Sequence, residues 1–156
     1  MNHSEHSEPT TSEKENLNAE INFFSEEIDF QLAEQAAIRA WIERAVAEEK
    51  SSLTEVSYIF CSDEYLHQMN VDYLQHDTLT DIITFPYSKK AVEGDIFISI
   101  DRVRENAATY GVAFQHELQR VMIHGILHLL GYKDKTEADQ AKMTEKENYY
   151  LEMKNK

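Results

Sequence analysis

The chain is poor in cysteine, in long apolar runs and in basic residues, and each shortage excludes something. Cys61 is the single cysteine, so no internal disulfide can form. Such cysteine use suits a reducing compartment, and a cytoplasmic protein is expected. The expected role of Cys61 is that of a small buried side chain at a strand end. No stretch approaches the ~18 consecutive apolar residues of a spanning helix, so no membrane partner is expected. The opening MNHSEHSEPTTSEKENLNAE has neither the basic start nor the apolar stretch of a secretory signal. Residues 1–20 are expected to form a polar, mobile tail, and residues 21–156 a single domain. Repeats are lacking too. Against 29 acidic residues stand 15 lysines and arginines, a net charge of −14. That balance argues against membrane surfaces and indiscriminate nucleic-acid binding, which favour a basic face. A polyanionic substrate would need a local basic island, a bound cation or a partner that delivers it.

What is present is a chain of alternating patterns. Ile21 to Phe24 is a short β-like run. In FQLAEQAAIRAWIERAVAEEK, Leu32, Ala36, Trp41, Ala45 and Val46 recur at helical spacing, which predicts an amphipathic helix of about five turns. LTEVSYIF alternates Val56, Tyr58 and Phe60 with polar neighbours, as a half-buried strand does. Ser62 before DEYLHQMN predicts an N-capped helix with acidic residues in its first turn. TDIITFPY and GDIFISI read as neighbouring strands joined through SKKAVE by a hairpin or loop, the first leaving its ladder at Pro86. DRVRENAATYG predicts a helix stopped by Gly111. FQHELQRVMIHGILHLLG is apolar almost all round, so a buried central helix is expected. Thr136 and Asp139 suggest a capping box that opens a last helix. The pattern predicts an α+β fold: a small mixed β-sheet packed against the buried helix, with several helices around it.

The buried helix carries His124 and His128. Residues four apart lie one above the other on a helix, so both imidazoles can reach one ion from the same side. Two core histidines with satisfied hydrogen bonds would give the same spacing. Gly131 then allows the positive φ that ends a helix and reverses the chain. Asp134, three residues on, is placed to supply a third ligand. His-x-x-x-His-x-x-Gly-x-x-Asp matches the metzincin zinc spacing except at its last ligand. Two imidazoles and a carboxylate are an accepted catalytic zinc set with a fourth position open; they also describe a non-haem iron triad. Buried imidazoles without partners would carry a desolvation cost that a metal removes, so metal is the better reading. Zinc proteases place a glutamate base directly after the first histidine. Gly125 stands there, which argues against protease chemistry.

VMIHGILHLLGYKD resembles the signature of the YbeY family, bacterial metal-dependent endoribonucleases of ribosomal RNA maturation and ribosome quality control. His124, Gly125, Leu127, His128, Leu129, Gly131 and Tyr132 agree with it. Thr80, Asp81, Phe85, Pro86, Gly94 and Asp95 stand where the family's strand segments place them. Two positions depart. The family's third metal histidine falls on Asp134, with Lys133 in the place of an aspartate. In YLQHD, Leu74 and His76 replace an arginine and a lysine that line the family's cleft.

The resemblance implies hydrolysis of RNA phosphodiester bonds assisted by a divalent ion at His124, His128 and Asp134. Zn2+ is expected, with another divalent transition metal as the alternative. His76, whose ordinary pKa lies near working pH, is the candidate proton donor. Lys89, Lys90, Arg102, Arg104 and Arg120 are candidate phosphate contacts. Expected partners are a ribosomal RNA precursor and the small ribosomal subunit or its proteins. Two alternatives stay open. One is a docking factor for ribosome biogenesis with a structural metal, since acidic surfaces suit basic partners. The other is a metal-dependent hydrolase of another substrate.

Overall fold

The structure, a computed structural model, describes residues 19–75 and 79–155. The expected tail therefore lies almost wholly outside the described residues, and so does His76. The elements are β1 (Glu20–Glu26), α1 (Gln35–Glu48), β2 (Leu53–Cys61), α2 (Asp63–Leu74), β3 (Ile82–Pro86), β4 (Val92–Ser99), α3 (Ile100–Tyr110), α4 (Phe114–Leu129) and α5 (Glu137–Lys154). The strands form one sheet in the order β1-β2-β4-β3. β1, β2 and β4 run parallel, and β3 lies antiparallel to β4 along the edge. This is the expected mixed sheet of an α+β fold, and β3 and β4 are the expected adjacent pair.

The large core forms where α4 crosses the sheet. Val56, Tyr58 and Phe60 of β2 and Ile96 and Ile98 of β4 bury their side chains with Leu118, Met122 and Ile126 of α4. The Tyr58 hydroxyl donates to the Met122 carbonyl at 2.9 Å, so the one polar atom of that ring is satisfied. Trp41 of α1 donates its indole N–H to the Tyr150 carbonyl of α5 at 2.7 Å. Burial on nearly every side of α4 follows from its sequence, as expected. Gly125 lets the helix lie close. A Cβ there would stand 2.9 Å from two carbons of Ile96 and 3.1 Å from Ile82, so α4 rests its backbone on β3 and β4.

Two expectations need correction. The first helix begins at Gln35, well after Phe30, and its buried stripe is Ile38, Trp41, Ile42, Ala45 and Val46. Ala36 is exposed, and Leu32 reaches the core from outside the helix. Glu34 precedes the helix in the left-handed region with φ 58° and makes no side-chain cap; the earlier segment packs as loop. Second, β2 is more than half-buried. Ile59 and Cys61 are buried on its other face. There Cys61, Leu66 of α2 and Ile83 of β3 form a second cluster. The helix that covers the second face is α2, the next element in the chain, and its docking back on the sheet is a tertiary contact that no period within β2 reveals.

The helix ends were more legible. Ser62 accepts from the Tyr65 N–H at 3.1 Å, and Thr136 from that of Asp139 at 3.0 Å. Gly111 closes α3 with φ 68°. Among the described residues, no helix is long and apolar enough to cross a membrane.

Candidate metal centre

His124 and His128 stand one turn apart on α4, with ring centroids 4.5 Å apart in an edge-to-face arrangement. Beyond them α4 ends in a reversal. The Tyr132 N–H bonds the Leu127 carbonyl at 3.0 Å, and the Gly131 N–H bonds that of His128 at 3.0 Å. These are the two bonds of a Schellman cap. Gly131 takes φ 107°, a region open to little besides glycine. The reversal carries Asp134 back to the imidazoles. Its Oδ2 lies 3.4 Å from Nε2 of His124 and 3.2 Å from Nε2 of His128.

Both Nδ1 atoms are already committed. His124 Nδ1 donates to Glu147 Oε2 at 2.6 Å. His128 Nδ1 donates to the Tyr132 carbonyl at 3.0 Å. A carbonyl only accepts, and Glu147 is ion-paired with Arg120 at 2.8 Å, so the protons are assigned to Nδ1. The neutral rings then turn bare Nε2 lone pairs toward a carboxylate. Three electron-rich atoms meeting within 4.8 Å of one another suit a cation between them. Zinc bonds of 2.0–2.2 Å place tetrahedral neighbours roughly 3.3 Å apart, close to the two Nε2–Oδ2 separations. The donor set fits a divalent ion.

The triad opens into a cleft of about 450 Å³ lined also by Leu74, Thr80, Asp81, Glu117, Arg120 and Glu147. Electrostatics here are unusual. Burial alone would push His124 down, but the hydrogen bond and charge of Glu147, with the charges of Asp134 and Asp81, win and hold its pKa above the ordinary value. Burial raises Asp81 despite the opposing charge of His124. Glu117 is raised by burial and then by Asp81 and Glu147, against Arg120. Of the five expected phosphate contacts, Arg120 alone borders the cleft. Arg102 pairs with Asp63 at 2.7 Å, and Arg104 covers the Phe114 ring. Lys89 and Lys90 are exposed between β3 and β4. These four are structural or solvated charges, which spacing along the chain could not distinguish from cleft residues.

The arrangement of helix, reversal and strand edge now has relatives to set beside it. The family model described as Endoribonuclease YbeY matches residues 20–155. The chain belongs to the YbeY family. A protein of Amoebophilus asiaticus named Endoribonuclease YbeY is 50% identical over 135 residues, which cover 85% of this chain and 92% of that one. Another of that name, from Cytophaga hutchinsonii, is 52% identical over 136 residues, 86% and 95% of the two chains. A solution structure of a Thermotoga maritima protein superposes with a TM-score of 0.63 at 29% identity, covering 86% of this chain and 88% of that one.

Three residues of this YbeY cleft escaped the sequence reading as members of the site: Glu147, Glu117 and, beyond its place in a strand segment, Asp81. Glu147 left a faint signal. It occupies a helical stripe with Met143, Tyr150 and Leu151, all buried, and a carboxylate in an apolar stripe asks for a partner. Glu117 precedes His124 by seven residues, two turns along the same face of α4. Gly125 points into the sheet, so the place of a protease's glutamate base does not face the cleft.

Proposed function

We propose that this chain is a zinc-dependent endoribonuclease that cleaves single-stranded RNA in ribosomal RNA maturation and ribosome quality control. The reading places it in the cytoplasm, with residues 21–156 acting as one domain. One observation carries it: the cleft gathers Asp81, Glu117, Asp134 and Glu147, while Arg120, its single permanent cation among the described residues, is engaged by Glu147. A phosphodiester enters such a place only with a cation that offsets the carboxylates. A divalent ion held by His124, His128 and Asp134, when bound, supplies Lewis acidity at a phosphoryl oxygen and makes water a competent nucleophile near neutral pH.

The chain's own groups do the rest. Glu147 and the Tyr132 carbonyl keep the imidazoles turned so that Nε2 serves as ligand. Leu74 borders the cleft where a cation of the family would stand, leaving fewer direct contacts to phosphate. His76, two residues on in sequence, is the proposed donor of a proton to the leaving oxygen. Burial raises the carboxyls of Asp81 and Glu117 above the usual carboxylate range, but a bound cation would draw both back down, so the proton-donor role falls to neither.

The test is metal-loaded protein incubated with single-stranded RNA, duplex RNA, and ester and amide substrates. Cleavage of single-stranded RNA that chelation abolishes and zinc restores is expected. Selective ester or amide turnover would instead support the hydrolase of another substrate. Asp134→Ala should lower zinc affinity and cleavage together; retained affinity would place the third ligand elsewhere.

A second observation favours a docking role beside catalysis. On the far side of β3 lies a groove of about 620 Å³ bearing Glu27, Glu64, Asp72 and Asp95 with exposed Tyr73 and Tyr87. Among the described residues, none that line it is a cation. A basic segment of a small-subunit ribosomal protein suits such a surface, its charge met by carboxylates and its stems by tyrosine rings. The two roles are compatible, with the partner presenting the RNA. Mixing salt-dependent pull-downs of small-subunit proteins with Asp72→Lys and Asp95→Lys variants would weigh the docking role separately.

A further inference from the structure

The residues that support His124 lie in the cleft, but the turn that supports His128 is held from outside it. Tyr132 and Asp134 sit on the short return after α4, Tyr132 lending its carbonyl to His128 and Asp134 facing both rings. The Tyr132 side chain leaves the cleft and meets Glu49, just past the end of α1. Its hydroxyl donates to Glu49 Oε1 at 2.7 Å. On the other carboxylate oxygen converge the Tyr150 hydroxyl and the Lys146 ammonium, the latter at 3.0 Å. The same ammonium lies 5.8 Å from the Tyr132 ring centroid.

A carboxylate at the C-terminal end of a helix is electrostatically misplaced, because the helix dipole is negative there. Burial would further raise its pKa, yet hydrogen bonds from Tyr150, Tyr132 and Lys146 and the charge of Lys146 hold Glu49 below the ordinary value. Three donors are thus spent to keep one anion at this point. Its grip falls on a return stretch otherwise tied by the helix cap and by Gln140, whose amide donates to the Asp134 carbonyl at 3.0 Å.

We propose that Glu49 is a positioning residue of the metal centre: by anchoring Tyr132 it fixes the return segment that carries Asp134 and orients His128. The proposal rests on the metal reading above. It makes α5 a shared brace, since Lys146 steadies the anchor of one histidine while Glu147, the next residue, holds the other.

The test uses the full chain with Glu49→Gln and Tyr132→Phe, and Glu48→Gln as control. Glu48 accepts from Tyr149 at 2.9 Å, outside this relay. Two readouts are taken: zinc affinity by competition with a chromophoric chelator, and the ring-nitrogen shifts of His128 by NMR in metal-free protein. Both relay variants should bind zinc about 10-fold more weakly, at the low end for lost outer-shell partners. In both, the His128 nitrogens should move from a fixed Nδ1–H tautomer toward a mixture. The double variant should be no worse than the stronger single one, because both changes break one chain of contacts. Glu48→Gln should change neither readout. Wild-type affinity and unmoved nitrogens in both variants would overturn the proposal. So would a lower melting temperature alone, which would reduce Glu49 to a clamp on the fold. Failure of the metal reading looks different: the unmodified protein then takes up no zinc, while the His128 shifts still decide the relay.

Discussion

His124 and His128 are the same residue on the same helix, one turn apart, and they are held in different ways. His124 is braced by a carboxylate 23 residues away, itself paired with Arg120. His128 is braced by a neutral carbonyl four residues on, in the turn that ends its own helix. One support is electrostatic and long-range; the other is geometric and local. The hydrogen bond and charge of Glu147 raise the basicity of the His124 ring, and with it its strength as a donor to a metal. The carbonyl gives His128 direction without added charge. A site built this way can alter the basicity of one ligand without disturbing the orientation of the other.

Removing either ring should have the largest effect. His124→Ala and His128→Ala should each abolish stoichiometric zinc, read by elemental analysis, and lower RNA cleavage by at least about 100-fold. The two should then differ in their after-effects. His124→Ala leaves Glu147 paired only with Arg120 in a buried place, so metal-free stability should fall further there than in His128→Ala. Cleavage that survives His128→Ala after nuclease controls would mean that the assigned site is wrong.

Glu147→Gln isolates the electrostatic support. Zinc affinity at alkaline pH should drop by about 10- to 100-fold, as for other outer-shell partners. Its pH dependence should also shift. Zinc needs a neutral imidazole, so in the unmodified protein affinity falls as pH drops through the raised His124 pKa. Without the glutamate, burial acts with less opposition and that fall should begin at lower pH. Affinity titrations across pH 5 to 9 should therefore converge toward the acid end. Parallel curves would show that Glu147 does not tune His124.

The local support is broken at Gly131. Alanine there must adopt φ near 107°, a strained conformation that costs about 1–3 kcal/mol. Gly111, which ends α3 with φ 68°, is the natural control, since left-handed alanine costs less. Among the described residues, nothing beyond the local backbone comes within 4 Å of a Cβ built at either glycine, so strain rather than crowding is compared. Gly131→Ala should lower both melting temperature and zinc affinity, while Gly111→Ala should lower only the first.

The contrast between local and distant support also explains what the sequence could convey. Both rings, the glycine and Asp134 lie within eleven residues, so helical spacing pairs the rings and the glycine reversal returns the chain toward them, both readable from local sequence. Ser62, Thr136 and Gly111 were legible as helix ends for the same reason. Glu147, Asp81 and Glu49 were not, because their proximity depends on how α5, β3 and α1 dock. Sheet order belongs with them: β4 inserts between β2 and β3, which follow one another in sequence. His76, expected as proton donor because its ordinary pKa lies near working pH, lies outside the described residues. Of the five basic residues named from composition, the structure leaves Arg120 in the cleft, and there it braces Glu147.

The smallest expected effect is on stability against pH, and its sign separates the metal-free from the metal-bound protein. His124 has a folded pKa above its unfolded one, because Glu147 and the nearby carboxylates outweigh burial. A raised pKa means that the folded state holds the proton more tightly. In metal-free protein this contribution is complete below the unfolded pKa of about 6.5 and disappears as pH rises through the folded value. With zinc the dependence reverses, since the ion displaces that proton and binds more tightly as pH rises. The zinc-induced increase in melting temperature should therefore be small in mild acid and grow through neutrality. Glu147→Gln should shift that growth toward lower pH, whereas Tyr132→Phe should reduce its size with little change in position. Identical displacement of the curve in both variants would erase the distinction between an electrostatic and a geometric support.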